Sequence, residues 1–191
     1  MINILLFGPP GAGKGTQAEF IVKRYGLTEV STGDIIRHEI AIGSDLGKEV
    51  AKQMEGGALA SDEIVINIIE HYINTSTNPK GNIFDGFPRT IKQAEELHRI
   101  LQSVHSEVTA LISLEVPKEE LIKRMKERGK ISGRADDKSE EVMNNRIVIY
   151  EQKTKVVKEY YKKYGKCFEI DGCGTIEEIA NKIRAIIDAL K

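Results

Sequence analysis

Residues 2–7 read Ile-Asn-Ile-Leu-Leu-Phe, a nearly unbroken apolar run that passes directly into Gly8-Pro9-Pro10-Gly11-Ala12-Gly13-Lys14-Gly15-Thr16. A helical pattern follows from Gln17 through Arg24. Strand, glycine-rich loop and helix start, in that order, make a cradle for phosphate. The glycines let successive backbone N–H groups converge on phosphate oxygens, the helix dipole favours negative charge, and Lys14 can reach the outer phosphates. A tight strand-to-helix turn also uses glycine, but it gives no reason for a lysine directly after the last loop glycine. The general pattern puts Ser or Thr next to that lysine, whereas here Gly15 intervenes and the hydroxyl arrives at Thr16. The expected phosphate-binding set is Gly11, Ala12, Gly13, Lys14, Gly15 and Thr16.

Apolar runs bounded by turn residues recur at Ile2–Phe7, Leu27–Ser31, Asn82–Asp85, Thr109–Leu114 and Cys167–Ile170, with helical periodicity between them. That alternation predicts βαβ units and a doubly wound α/β fold on a five-stranded parallel sheet. The first and fourth runs are almost wholly apolar, as helices covering both sheet faces require. Between Ser31 and Asp62 repeated glycines interrupt short helical segments and no strand pattern is present, which predicts a helical excursion. Residues Arg128–Asp137 (RGKISGRADD) carry two glycines and no periodicity, so a surface loop is expected. From Ser139 to Tyr164 the chain reads as a long charged helix, with Lys153, Lys155, Lys158, Lys162, Lys163 and Lys166 as a solvated basic stripe.

With 191 residues, 40% of them hydrophobic, the chain suits one compact domain. A net charge of −1 supplies no basic excess for a nucleic-acid polyanion, so nucleic acid is not an expected partner. No apolar stretch approaches the roughly 20 residues that a membrane span needs, and the cytoplasm is the default location. Cys167 and Cys173 are too few for a disulfide framework or a zinc finger, and the four histidines form no HExxH pair.

GPPGAGKGT is the form of phosphate loop found in nucleoside monophosphate kinases, and over essentially its whole length the chain resembles the adenylate kinase family. Ser31-Thr32-Gly33-Asp34-Ile35-Ile36-Arg37 is similar to that family's STGDLLR, and Asp85-Gly86-Phe87-Pro88-Arg89-Thr90 with Gln93 is similar to its DGFPRT segment. The resemblance implies a fold of the P-loop NTPase type, a single kinase domain over 1–191 with a monophosphate-binding excursion at 31–60, and a monomer. It implies transfer of the γ-phosphate of ATP to AMP. By the same resemblance Thr32, Arg37, Ala58, Ala60, Gly86, Arg89 and Gln93 form the AMP site, with Arg37 and Arg89 on its phosphate. A guanidinium fork suits phosphate oxygens better than a point-charge ammonium. Asp85, at the end of a buried strand, is the expected Mg²⁺ residue, directly or through water.

The resemblance places Arg124 on the adenine of ATP beside Gly174, and sets Arg128, Arg134 and Arg146 around the transferring phosphoryl group, Arg134 and Arg146 also reaching AMP. Phosphoryl transfer rests on positioning and electrostatics, so an arginine cluster without a general base is chemically sufficient. Residues 128–137 leave no room for the inserted lid of the long-form enzymes or its four-cysteine zinc site, so the expectation is a short lid without zinc. Asp136 and Asp137 resemble the acidic pair that braces those arginines. Two departures stand out: the Arg134-to-Arg146 spacing is one residue longer than usual, and Ala60 replaces the usual valine in GALASD. A UMP/CMP kinase shares the fold, the loop and the short lid; Thr32 and Gln93 favour AMP. A nucleotide-sensing switch protein would need no second phosphate-binding set such as Arg37 and Arg89.

Overall fold

The computed structural model describes residues 1–137 and 139–190. Five strands, β1 (Ile2–Phe7), β2 (Thr28–Ser31), β3 (Gly81–Asp85), β4 (Ala110–Glu115) and β5 (Cys167–Asp171), form one sheet in the order β2-β3-β1-β4-β5. Every pairing is parallel, with Leu5 opposite Phe84 on one side of β1 and Leu111 on the other. The five apolar runs thus become the five strands, shifted by a residue or so at their ends.

The apolar density of β1 follows from its central place. Leu5 and Phe7 point into one core with Val30, Phe84, Leu97 and Leu101, and Ile4 and Leu6 into a second with Ile21, Ile83, Ile112 and Ile183. Alternate side chains leave opposite faces of a strand, so a sheet covered on both faces has no polar positions to spare. Helices α1 (Lys14–Tyr25), α6 (Lys118–Ser132) and α9 (Ile176–Ala189) line the second core. The first core is covered by α4 (Asp62–Thr75), α5 (Ile91–Ser103) and α8 (Val156–Lys162).

The excursion after β2 is helical as expected: α2 (Thr32–Ile42), α3 (Asp45–Gln53) and a 3₁₀ turn at Glu55–Gly57. Two expectations need correction. Residues Arg128–Ser132 are the last turn of α6, closed by the left-handed Gly133, whose N–H donates to the Gly129 carbonyl. A 3₁₀ turn then spans Ala135–Asp137. The buried Leu121 and Met125 set the face of α6, and Arg128 extends that face one turn further to meet Asp137. The stretch from Ser139 is also not one uniform helix. Helix α7 (Glu140–Ile149) widens into a π turn at Tyr150–Thr154 before α8 begins.

The basic stripe is corrected at one position, because Lys158 is buried. Its ammonium pairs with Glu115 at 2.7 Å and Glu169 at 3.1 Å, on β4 and β5. No described helix is long and apolar enough to cross a membrane.

Candidate active site

Strand β1 ends at Phe7, at the carboxyl edge where the chain order reverses and α/β sheets bind ligands. The loop that follows bends back through Gly8 and Gly11, both at positive φ. A side chain at Gly8 would meet the Leu114 carbonyl at 2.9 Å, and one at Gly11 the Leu121 carbonyl at the same distance. The loop is thereby pressed onto β4 and α6 with its open side to solvent.

Helix α1 starts on Gly13 with no side-chain cap and no acidic residue in its first turn. Helices α4, α6, α7 and α9 each carry two acidic residues there. Among the described helices, α1 alone has neither device, so its positive end is left for an external anion. The Lys14 ammonium arches back to donate to the carbonyls of Gly8 and Pro9, at 2.9 and 3.1 Å. Desolvation pushes its pKa down to about 8; Asp85 opposes this, and the charges of Arg89, Arg146 and Arg128 add to it.

A cleft of ≈ 940 Å³ opens above this loop, within the size range of nucleotide-scale pockets. The excursion forms one wall, α6 with its following turn another, and the segment 174–179 the far end. Arg37, Arg89, Arg124, Arg128, Arg134 and Arg146 all line it with Lys14. So do Gly11, Ala12, Gly13, Gly15, Thr16, Asp85, Gly86 and Gly174.

Carboxylates and carbonyls hold the arginines apart. Arg128 donates two hydrogen bonds to Asp137, at 2.6 and 2.9 Å, and Arg146 donates to the same carboxylate at 2.8 Å and pairs with Asp136 at 3.0 Å. The long Arg134-to-Arg146 spacing therefore does not keep Arg146 out of the cluster. Burial alone would raise the Asp137 carboxyl, but Arg128 and Arg146 pull it below the ordinary range. Asp34, on α2, pairs with Arg37 and, at 3.5 Å, with Arg134. Arg89 donates from Nε to the Gly86 carbonyl at 2.7 Å, and desolvation lowers its pKa without neutralising so strong a base. Arg124 lies between Glu120, at 2.8 Å, and the Gly172 carbonyl, at 3.1 Å.

Four expected residues do not line the cleft. Thr32 is buried and donates to the Gly86 carbonyl at 3.2 Å. Gln93, also buried, accepts from the Arg89 backbone N–H at 2.7 Å and donates to Asp62 at 2.8 Å. Ala58 and Ala60 do not line it, although their chain neighbours Gly57 and Leu59 do. Other residues reach the cleft that sequence reasoning did not single out for it: Gln17, Glu29, Asp34, Tyr150 and Thr154. Asp34 stands in the segment 31–37, but its partner Arg134 lies 100 positions away in sequence. Cys167 and Cys173 carry free thiols on β5 and in the loop after it.

A parallel sheet of this order, with a glycine-rich loop leading from β1 into an uncapped helix under a lysine, defines the P-loop class of phosphate-binding folds. Within that class, a sequence model of adenylate kinase matches residues 6–166. The chain is 47% identical over 190 residues to the adenylate kinase of Flavobacterium psychrophilum and 46% identical over 190 residues to that of Bacteroides fragilis, with both chains fully covered in each comparison. The Porphyromonas gingivalis adenylate kinase is 40% identical, over all of this chain and 98% of its own. The chain belongs to the adenylate kinase family.

Proposed function

We propose that the chain catalyses reversible transfer of the γ-phosphoryl group of ATP to AMP, giving two ADP. The observation that carries this reading is the cleft that brings the phosphate loop and Lys14 together with a further arginine pair, Arg37 on α2 of the excursion and Arg89 after β3. A single-nucleotide switch has no use for the second set.

In this reading the ATP phosphates lie on the N–H groups of residues 11–16 and on Lys14, with the base between Arg124 and the segment at Gly174. The AMP phosphate lies between Arg37 and Arg89, and its base lies toward residues 58–60. Gln93 and Thr32 serve that side by fixing the Arg89 backbone and the Gly86 carbonyl. An oxygen of the AMP phosphate attacks the γ-phosphorus in line, and the bond to the β-phosphate oxygen breaks. The attacking oxygen is already ionised, so no protein base is needed. Arg128, Arg134 and Arg146 face the charge that spreads over the transferring group. Residues 31–60 and 128–137 form the two closing flaps, which exclude water that would otherwise accept the phosphoryl group.

Mg²⁺ fits the donor set in this cleft. Asp85 ends β3 half-buried, with its Oδ2 3.7 Å from the Cβ position of Gly15, and the described residues hold no cluster of three His, Cys, Asp or Glu side chains. One carboxylate with the rest of the shell left to phosphates and water is the Mg²⁺ pattern. When bound, the ion would supply charge neutralisation to the ATP phosphates. We further infer a cytoplasmic monomer.

The deciding experiment is a coupled assay of ADP formation from ATP with AMP, CMP, UMP or GMP. AMP is expected to lead CMP and UMP by at least about 10²-fold in kcat/KM, on the resemblance of Thr32 and Gln93 to the family's AMP-site residues. Comparable values for CMP and AMP would transfer the assignment to a pyrimidine kinase.

Lys14 adds a pH signature. Its ammonium is the binding form, and with a pKa of about 8 before nucleotide arrives the protein must take up a proton on binding ATP above that pH. ATP affinity should fall about tenfold per pH unit there. Calorimetry at pH 9 in buffers of different ionisation enthalpy should register uptake approaching one proton per ATP; a pH-independent affinity would contradict it.

A further inference from the structure

Gln17 is an unusual residue for its position. It follows the phosphate loop in the first turn of α1, is 2% exposed, and reaches the cleft wall. Its Nε2 donates to the Ile176 carbonyl at 3.0 Å, across 159 positions of sequence. Its Oε1 is buried and accepts no hydrogen bond among the described residues. An orphaned buried acceptor is costly, and an apolar side chain of similar size would avoid that cost. The fold itself gives no reason for an amide here. Ala18 and Ile21 on α1 already pack against Ile179, Ile183 and Ile187 on α9. At its other end α1 is tied to α9 by Tyr25 and Arg24, both on Asp188.

The cleft end of α9 is where the amide matters. Ile176 is its first residue, half exposed, and Gly174 just before it lies on the cleft wall. The carbonyl of Gly172, in the same segment, accepts from Arg124. We propose that Gln17 is a positioning residue of the donor site, fixing the segment 172–176 at a set height above the phosphate loop. A nucleotide bound by its phosphates at one end and its base at the other measures that distance, and a loosened base segment gives up affinity for the ordering it then requires. The inference rests on the donor reading given above and names the side chain that joins its two halves.

The test is Gln17→Leu, with Gln17→Met as its companion, which keeps the length of the side chain but presents no donor to the Ile176 carbonyl. Both are measured for KM of ATP, KM of AMP, kcat, thermal midpoint, and amide exchange over 172–176 without nucleotide. We expect KM for ATP to rise about tenfold in both variants, the loss of one well-placed buried hydrogen bond. KM for AMP and kcat should stay within twofold, amides 173–176 should exchange faster, and the Leu variant should melt no lower than the parent. A KM for ATP within twofold of the parent overturns the proposal. So does a parallel rise in both KM values with a lower melting temperature, which would mark a merely structural role. Should Leu fail to fold, the same KM split in Gln17→Met decides. Failure of the parent protein to bind ATP would instead overturn the donor reading, and the exchange experiment, done without nucleotide, separates the two.

Discussion

Lys14→Ala is expected to lower kcat by about 10³-fold, the scale found when a preorganised charge is removed from a developing phosphoryl or oxyanion centre. The fold should be unaffected. Lys14 fills no core; its aliphatic stem rises from the start of α1 and its ammonium rests on two loop carbonyls at the base of the cleft. Desolvation and the charges of Arg89, Arg146 and Arg128 disfavour its protonated form and together outweigh the Asp85 carboxylate, which favours it. Removing that charge relieves a repulsion, so the variant should melt at or slightly above the parent temperature. Steady-state kinetics beside thermal unfolding checks both halves at once. A folded Ala variant with near-parent turnover would remove the phosphate loop from the mechanism, and a variant that unfolds would mean that Lys14 is structural.

The strands were readable because their signal is local. A central parallel strand must be apolar on both faces, and β1 and β4 write that requirement as continuous runs. The phosphate loop was readable for the same reason, since its glycines answer constraints only a few residues away. Elsewhere, sequence gave the chemical type of a group but not its partner. The basic stripe hides one lysine that the ends of β4 and β5 draw inward, since Glu115 and Glu169 come from distant runs. Gln93 has the donor and acceptor of an adenine-reading amide, and in the folded chain its oxygen also accepts from the Arg89 N–H and its Nε2 donates one hydrogen to Asp62, partners that come only with the fold. The end of α6 looked like a loop because its glycines and charges mask a helical face that becomes visible only when Asp137 folds back on Arg128. Gln17 gave no signal in sequence. A glutamine after a phosphate loop reads as an ordinary helix residue until its burial and its orphaned oxygen are seen.

Asp137 is where the charge balance around Arg128 and Arg146 is concentrated, and Asp137→Ala should show it. The side chain is 0% exposed and faces two guanidinium groups, Arg128 at 34% and Arg146 at 17% exposure. Removing the carboxylate leaves those cations near Lys14 and Arg89 with their nearest counter-charge gone. Stripping one partner from a buried pair costs several kcal/mol, and the solvent that reaches Arg128 reduces this to about 2–3 kcal/mol here. That corresponds to a fall of roughly 5–10 °C in Tm for a chain of this size. Turnover should fall by about 10²-fold as well, because two of the arginines proposed to surround the transferring group lose the group that aims them. Asp137→Asn keeps the shape without the charge and should fall between parent and Ala. The pH dependence gives the most specific readout. The folded-state pKa of Asp137 lies below its unfolded value near 3.8, so its contribution is present above that value and is lost as pH falls through the folded one. The Tm gap between parent and Asp137→Ala should therefore be constant above about pH 5 and narrow steadily below pH 4. A gap of the same size at pH 3 and pH 7 would mean that the packing of Asp137, and not its charge, holds Arg128 and Arg146 in place.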